Sequence, residues 1–335
     1  MPDTYADKIA RIKDLVSLAT ETKNIVVDHE TIVNDFETRI GTLETGISSL
    51  ESGNSTLQTG INTLETRINT LESGATIEIP GINCYHNAGS HNAIFRGKDL
   101  GTEVTTEQYA AINAGTFEGL YIGDFWNKTI NIKGKDETIS FRIADFDYYY
   151  NTDATNTHHV VIVPDSSIGY DQIINGSNSD KQGYALSYMR STGLNDAKSK
   201  INTAFGTSHI LTYNEYLESS VDENGIVTGV IEKNDCTIEL MSETMVYGHR
   251  IVSPQPAISG RYVYHKTQLS LFRLKPDLMK IKINDNNDNL YWWLRDYIQY
   301  DPQTGGYFTF VDQCGAADSC SGHDSACIRP FFLIH

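Results

Sequence analysis

The stretch Val33-Asn34-Asp35-Phe36-Glu37-Thr38-Arg39-Ile40-Gly41-Thr42-Leu43, continued in the same rhythm to Leu71, decides how this chain is organised. With Val33, Ile40, Ile47, Asn54, Ile61 and Ile68 at position a of a heptad, position d falls on Phe36, Leu43, Leu50, Leu57, Leu64 and Leu71. Eleven of these twelve residues are apolar, at alternating steps of four and three without a skip. A strict seven-residue repeat demands left-handed supercoiling with a partner, because a straight helix drifts away from that period. The segment predicts a coiled-coil stalk over 33–74, on the order of 60 Å long at the usual rise per residue.

Alone, such a helix would be weak. Gly46, Gly53 and Gly60 recur at position g, and each costs about 1 kcal/mol against alanine in a helix interior. Helicity therefore depends on burying the seam against copies of the same chain. Ile at a with Leu at d suits two strands, and a central Asn54 suits register control. Arg39-Ile40-Gly41-Thr42-Leu43-Glu44 and Arg67-Ile68-Asn69-Thr70-Leu71-Glu72, however, resemble the Arg-apolar-x-x-apolar-Glu signature of trimers. There an Arg at g packs over the core and pairs with a Glu at e of the next strand. A parallel trimer is expected, with a dimer as the alternative.

Outward from the stalk, residues 1–32 also read as helical, with Ile9, Ile12, Val16, Ala19 and Val26 suitably spaced. The heptad extends back through Val26, Ala19, Leu15 and Ile12, but places Thr22 and His29 at d. This weaker seam suits attachment to a larger assembly, or plain continuation of the stalk. On the other side, Ser73-Gly74 ends the heptads, and Thr76–Ile79 alternates like a strand before Pro80-Gly81.

From residue 75 to 335 the composition turns to Gly, Asn, Asp and aromatics, as expected of a loop-rich head. Thr105-Thr106-Glu107-Gln108 has the spacing of a capping box and predicts a short helix through Ile112. Strands are expected at Thr129–Ile132, Ile139–Tyr150 and His159–Val163, the last apolar on both faces and so interior. Helices are expected around Asn195–Phe205 and Tyr213–Ser220, and a final strand at Phe331–Ile334. Helices early and strands late, without regular alternation, predict an α+β fold.

A net charge of −17 and a pI near 4.9 argue against a nucleic-acid partner, which needs a basic face. No apolar run reaches the roughly 18 residues of a membrane span. The N-terminus has no basic segment followed by an apolar one, so classical secretion is not expected. The cysteines, Cys84, Cys236, Cys314, Cys320 and Cys327, are odd in number. The cluster Cys314-x5-Cys320-x2-His323-x3-Cys327 does not match common zinc spacings, and free thiols or one local bridge are favoured over a metal.

From Asn83 onward the sequence resembles bacteriophage and prophage tail proteins with a C-type-lectin-like domain of otherwise unassigned function. The carrying segments are Tyr121–Trp126, Arg142–Tyr149, His158–Asp165, Leu240–Glu243 with Val246–Gly248, Trp292–Asp296, Phe308–Val311 with Gly315, and Arg329–Phe332. A Trp-Leu-Arg segment followed by a closing Gly-x-Arg-Pro-like strand is typical of the C-type-lectin-like and formylglycine-generating-enzyme-like superfold. Cys327-Ile328 departs from the Gly-Val common there. The resemblance, over three quarters of the chain, implies a tail-fibre, tail-tip or baseplate protein of the virion, made in the bacterial cytoplasm. Its partners would be itself as a homotrimer, tail or baseplate proteins, and a host cell-surface glycan or protein. In some members of the superfold the late loops are diversified by a retroelement.

Candidate sites follow from residue chemistry. Nineteen Tyr with abundant Asn, Asp and Ser resemble the palette of adaptable recognition loops. The segment Tyr297–Asp324 is the preferred binding surface, with Tyr297, Tyr300, Asp301, Asp318, Ser321, His323 and Asp324 as candidate ligand contacts. The competing reading packs Tyr297 and Tyr300 locally against the Trp292-Trp293 core. Asn284–Asn289 reads as an exposed turn rather than a Ca²⁺ or sugar site. Trp292, Trp293, Arg295 and Arg329 read as scaffold, and His158-His159 with Asp145 and Asp147 as structural. No acid pair or nucleophile motif stands out, so a binding protein without cofactor or catalytic residues is expected. A glycan-degrading head and an architectural subunit without receptor are the alternatives.

Overall fold

The computed structural model describes residues 4–72, 86–176, 182–222, 227–254, 267–281, 291–301 and 305–335. The chain divides into two units, Met1–Ile77 and Glu78–His335. The first is one uninterrupted helix, α1 (Tyr5–Glu72), with no break between the segments expected to attach and to oligomerise. A helix of this length spans about 100 Å. Thr20, Thr22, Thr31, Thr38, Thr42, Thr45 and others return their hydroxyls to the carbonyl four residues back, which satisfies them without any partner. The expected strand at Thr76–Ile79, Cys84 and the Asn284–Asn289 run lie outside the described residues, as do the side chains of Arg67, Ile68, Leu71 and Glu72.

The second unit mixes helices and sheets, and its first described helix is the single turn α2 (Ala88–His91). The capping box holds: Thr105 caps α3 (Thr106–Asn113), and Gln108 returns the bond to the Thr105 amide. That same Gln108 carboxamide oxygen accepts from the Trp126 indole at 3.2 Å, tying the cap to the core. A two-residue turn, Lys133-Gly134, joins β1 (Phe125–Ile132) to β2 (Lys135–Phe146). Both turn residues have positive φ, 49° and 84°, as the tightest hairpins require. β2 stops four residues short of the expected Tyr150, because Asp147 takes a left-handed φ of 56° and turns the chain.

β3 (Val160–Pro164) is buried along its whole length, as its unbroken apolar run predicts. It lies third in a five-stranded sheet ordered β1-β2-β3-β12-β7, completed by β12 (Pro330–Ile334) and β7 (Ile238–Leu240). A second five-stranded sheet is ordered β10-β9-β8-β11-β4. Its strands are β4 (Gly169–Gln172), β8 (Trp292–Asp301), β9 (Gly305–Val311), β10 (Ala317–Ser321) and β11 (Ala326–Ile328). Helix α4 (Asn195–Phe205) occupies the expected residues and buries Ala197, Ile201 and Phe205, one every turn. Phe205 packs edge-on against Phe141 and Phe332 of the first sheet.

One expected helix is a strand. Tyr213–Ser220 forms most of β5 (Tyr213–Val221), paired with β6 (Val227–Cys236). Tyr213, Leu217 and Ser220 are spaced as on a helix, which misleads a reading by periodicity. The register instead shifts between Glu215 and Leu217 and again after Glu218. Bulges of this kind let Glu215 and Glu218, three apart, both turn inward, where a regular strand would send them to opposite faces.

Candidate functional site

The sequence places its candidate binding surface on β8, β9, β10 and their turns, and the structure sorts those residues into three groups. Tyr297 is corrected: it is fully buried, its ring edge-on to Phe308 at 4.9 Å. The physical reason is Gly306 across the hairpin, where a Cβ would come within 2.7 Å of the Tyr297 ring and hydroxyl. With no side chain at 306, the ring packs close against that strand and belongs to the core.

Tyr300, Asp301, Ser321, His323 and Asp324 share one end of the sheet. Tyr300 pairs with Gly306 and Asp301 with Gly305, while Ser321 pairs with Tyr307. A tight turn carries the rest, with the Ser321 hydroxyl accepting from the His323 amide and the Ser321 carbonyl from the Asp324 amide. Tyr300, Asp301, Ser321 and His323 are half-buried and Asp324 is exposed. Asp318 stands apart. It is exposed and pairs with Phe310, three residues further along β10, roughly 10 Å at strand spacing.

A residue that sequence reasoning missed joins this end. The Gly322 carbonyl accepts from the amides of both Ile174 and Asn175, and the Gly322 amide donates to Gly306 at 2.7 Å. Three segments distant in sequence therefore meet at one glycine. Flanking it, the Asn175 Oδ1 and His323 Nε2 atoms are buried without a hydrogen-bond partner among the described residues. Buried polar atoms are almost always paired, so two orphans beside one glycine mark the spot best suited to a polar group from outside. Asn175 carried no sequence signal, since only the fold brings it to Gly322.

The four described cysteines do not assemble. Cys314 lies in the turn before β10 and Cys320 near its far end; Cys236, Cys314, Cys320 and Cys327 are all free thiols. Burial, with Asp324 adding to it, pushes the Cys320 thiol well up, and burial pushes Cys327 up to about 12, so neither is a ready thiolate. Among the described residues of one chain, no three His, Cys, Asp or Glu side chains are grouped to hold a metal ion.

The residues read as scaffold are buried. The Trp292 and Trp293 indoles donate to the carbonyls of Met279 and Gln172. Arg329 lies over Trp292 and Phe272 and donates to the carbonyls of Pro164 and Met279. His158 bonds to Asp147 at 2.7 Å, while buried His159 accepts from the Tyr149 amide through Nε2 and donates through Nδ1 to Thr157.

A buried charge network was not foreseen. Arg295 pairs with Glu215, and Arg250 pairs with Glu218 at 2.5 Å and Asp296 at 3.4 Å. The Glu243 carboxylate accepts from the amides of Ile251, Val252 and Ser253. These acids are tied up in holding β5, β8 and the loop after α5 (Glu243–Tyr247) together. Compared with family models, with curated proteins and with solved structures, the chain finds no match in any of the three.

Proposed function

We propose that this chain is a homotrimeric phage or prophage tail protein whose lectin-like heads attach to a host cell-surface glycan or protein. The observation that carries the reading is the uncovered seam of α1. Leu43, Leu50 and Leu57 are 66%, 75% and 69% exposed, and Phe36, Ile40, Ile47, Ile61 and Leu64 are about half exposed. An isolated helix with four interior glycines and a continuous apolar stripe has no reason to persist in water. Burying that stripe against two copies supplies one. Arg39, at 5.8 Å over the Phe36 ring and 3.8 Å from Asp35, is poised to cover the core and reach Glu44 of a neighbour. Asn54 is the polar register layer. The resemblance of the head to tail proteins supplies the class.

Attachment is assigned to the sheet end bearing Tyr300, Asp301, Ser321, His323, Asp324 and Asn175, with Asp318 at its margin. The reading is binding rather than catalysis, because the buried acids Glu215, Glu218, Asp296 and Glu243 are neutralised by arginines or backbone amides. Among the described residues no helix is long and apolar enough to cross a membrane. The test is binding of the full chain to candidate host cells and purified wall glycans, with and without Ca²⁺. Alanine at His323 and Asp324 should reduce retention at least tenfold without changing the melting curve. Release of soluble glycan fragments would point to an enzyme instead. Absence of binding, with particle assembly failing when the chain is lost, would point to an architectural subunit.

A further inference from the structure

His29 interrupts the seam at a position d, between Val26 and Val33 at a and beside Ile25 and Ile32 at g. Four β-branched side chains thus surround one imidazole. In the single helix, the His29 Nδ1 lies 2.9 Å from the Ile25 carbonyl. A carbonyl only accepts, so Nδ1 carries the proton, and in the neutral imidazole Nε2 keeps its lone pair. This is the arrangement of metal-binding histidines, whose second nitrogen donates to a backbone carbonyl that fixes tautomer and ring orientation. Thr22, the other polar d residue nearby, behaves differently, since its hydroxyl is already spent on the Leu18 carbonyl.

On this geometry we propose that the stalk holds a divalent first-row transition-metal ion, zinc foremost, on its axis, bound by the Nε2 atoms of three His29 residues. The proposal rests on the trimer reading, because each chain supplies one ligand. In a parallel trimer the d side chains of one layer converge on the axis. Three neutral imidazoles there would bury three unpaired acceptors among valines and isoleucines, a costly arrangement. A metal ion satisfies all three at once. Three nitrogens leave a fourth tetrahedral position for a water or an anion along the axis, and nitrogen donors of this kind select zinc, copper, nickel or cobalt over calcium or magnesium.

The full chain, stripped with EDTA, is titrated with Zn²⁺ and with Co²⁺ while its mass is measured by light scattering. The proposal expects a mass of three 37.4 kDa chains, one ion bound per three chains beyond whatever His29→Leu retains, and a visible tetrahedral Co²⁺ band that His29→Leu lacks. The helical melting midpoint should rise by several degrees with Zn²⁺ in the wild type alone. In EDTA, His29→Leu should melt higher than wild type, because leucine fills the layer. A trimer that binds zinc no better than His29→Leu overturns the metal site and leaves the trimer standing. A mass of one or two chains overturns the trimer, and the three-imidazole site with it.

Discussion

Asp145 and His159 are both buried in the head and titrate in opposite senses. Burial raises the Asp145 carboxyl to about 6, despite bonds from the Ser270 amide and Asn92. Burial lowers His159 to about 4. The raised acid contributes stability that is complete below its ordinary value of 3.8 and is lost as pH rises through 6. The depressed histidine contributes stability that is complete above its ordinary 6.5 and is lost as pH falls through 4. Each shift corresponds to about 3 kcal/mol, so between about pH 4 and 6 the two slopes oppose one another. Relative to wild type, Asp145→Asn should therefore gain stability at pH 7 and lose that gain on acidification to pH 4. His159→Gln should show the reverse, its relative stability growing as pH falls. Urea midpoints measured across that range check both; parallel curves for the three proteins would refute the assignment. A second test concerns the buried Arg295–Glu215 pair. Removing one partner leaves an uncompensated buried charge, at a cost of about 3–5 kcal/mol. Glu215→Leu or Arg295→Met alone should lower head stability by that order, and the double variant should recover much of it. Additive losses in a double-mutant cycle would show that the pair is not coupled.

At the scale of elements, local signals were readable where one element's own period decides burial. In α4 the residues Ala197, Ile201 and Phe205 repeat every turn, and Thr105 with Gln108 caps α3 without outside help. β5 was misread because its bulges break the period of two, and nothing local reveals a bulge. Tyr297 was misplaced for a similar reason, as its burial depends on Gly306 in the opposite strand. The helix α1 yields a direct test. A Cβ added at Gly41, at the outer b position, meets nothing within 4 Å. Gly41→Ala should therefore raise the stability of the helical unit by about 1 kcal/mol per chain, seen as a higher midpoint of far-ultraviolet ellipticity.

For the whole molecule, the proposed trimer would present several heads on one stalk, and such an arrangement multiplies weak single-site binding by ~10² or more where geometry allows. Charges placed in the seam, Leu43→Glu with Leu50→Glu, should break the assembly, melt α1 and leave the head folded. Apparent affinity for receptor-bearing cells should then fall by about 10², with the single-site affinity unchanged. Equal avidity of the variant and the wild type would remove the multivalent account.

By itself the sequence determined the long helix, its uncovered stripe, the capped helix α3, helix α4 and the interior strand β3. Each follows from residues within a few turns or steps of one another, where periodicity equals burial. Only the tertiary structure decided the fates of Glu215, Tyr297 and Asn175. Their surroundings are built from residues far away in sequence: Arg295 lies 80 positions from Glu215, and Gly322 receives the Asn175 amide from across the head. Whether a polar side chain is tolerated inside depends on which partner arrives, and that is settled by strand pairing rather than by the pattern of the strand itself.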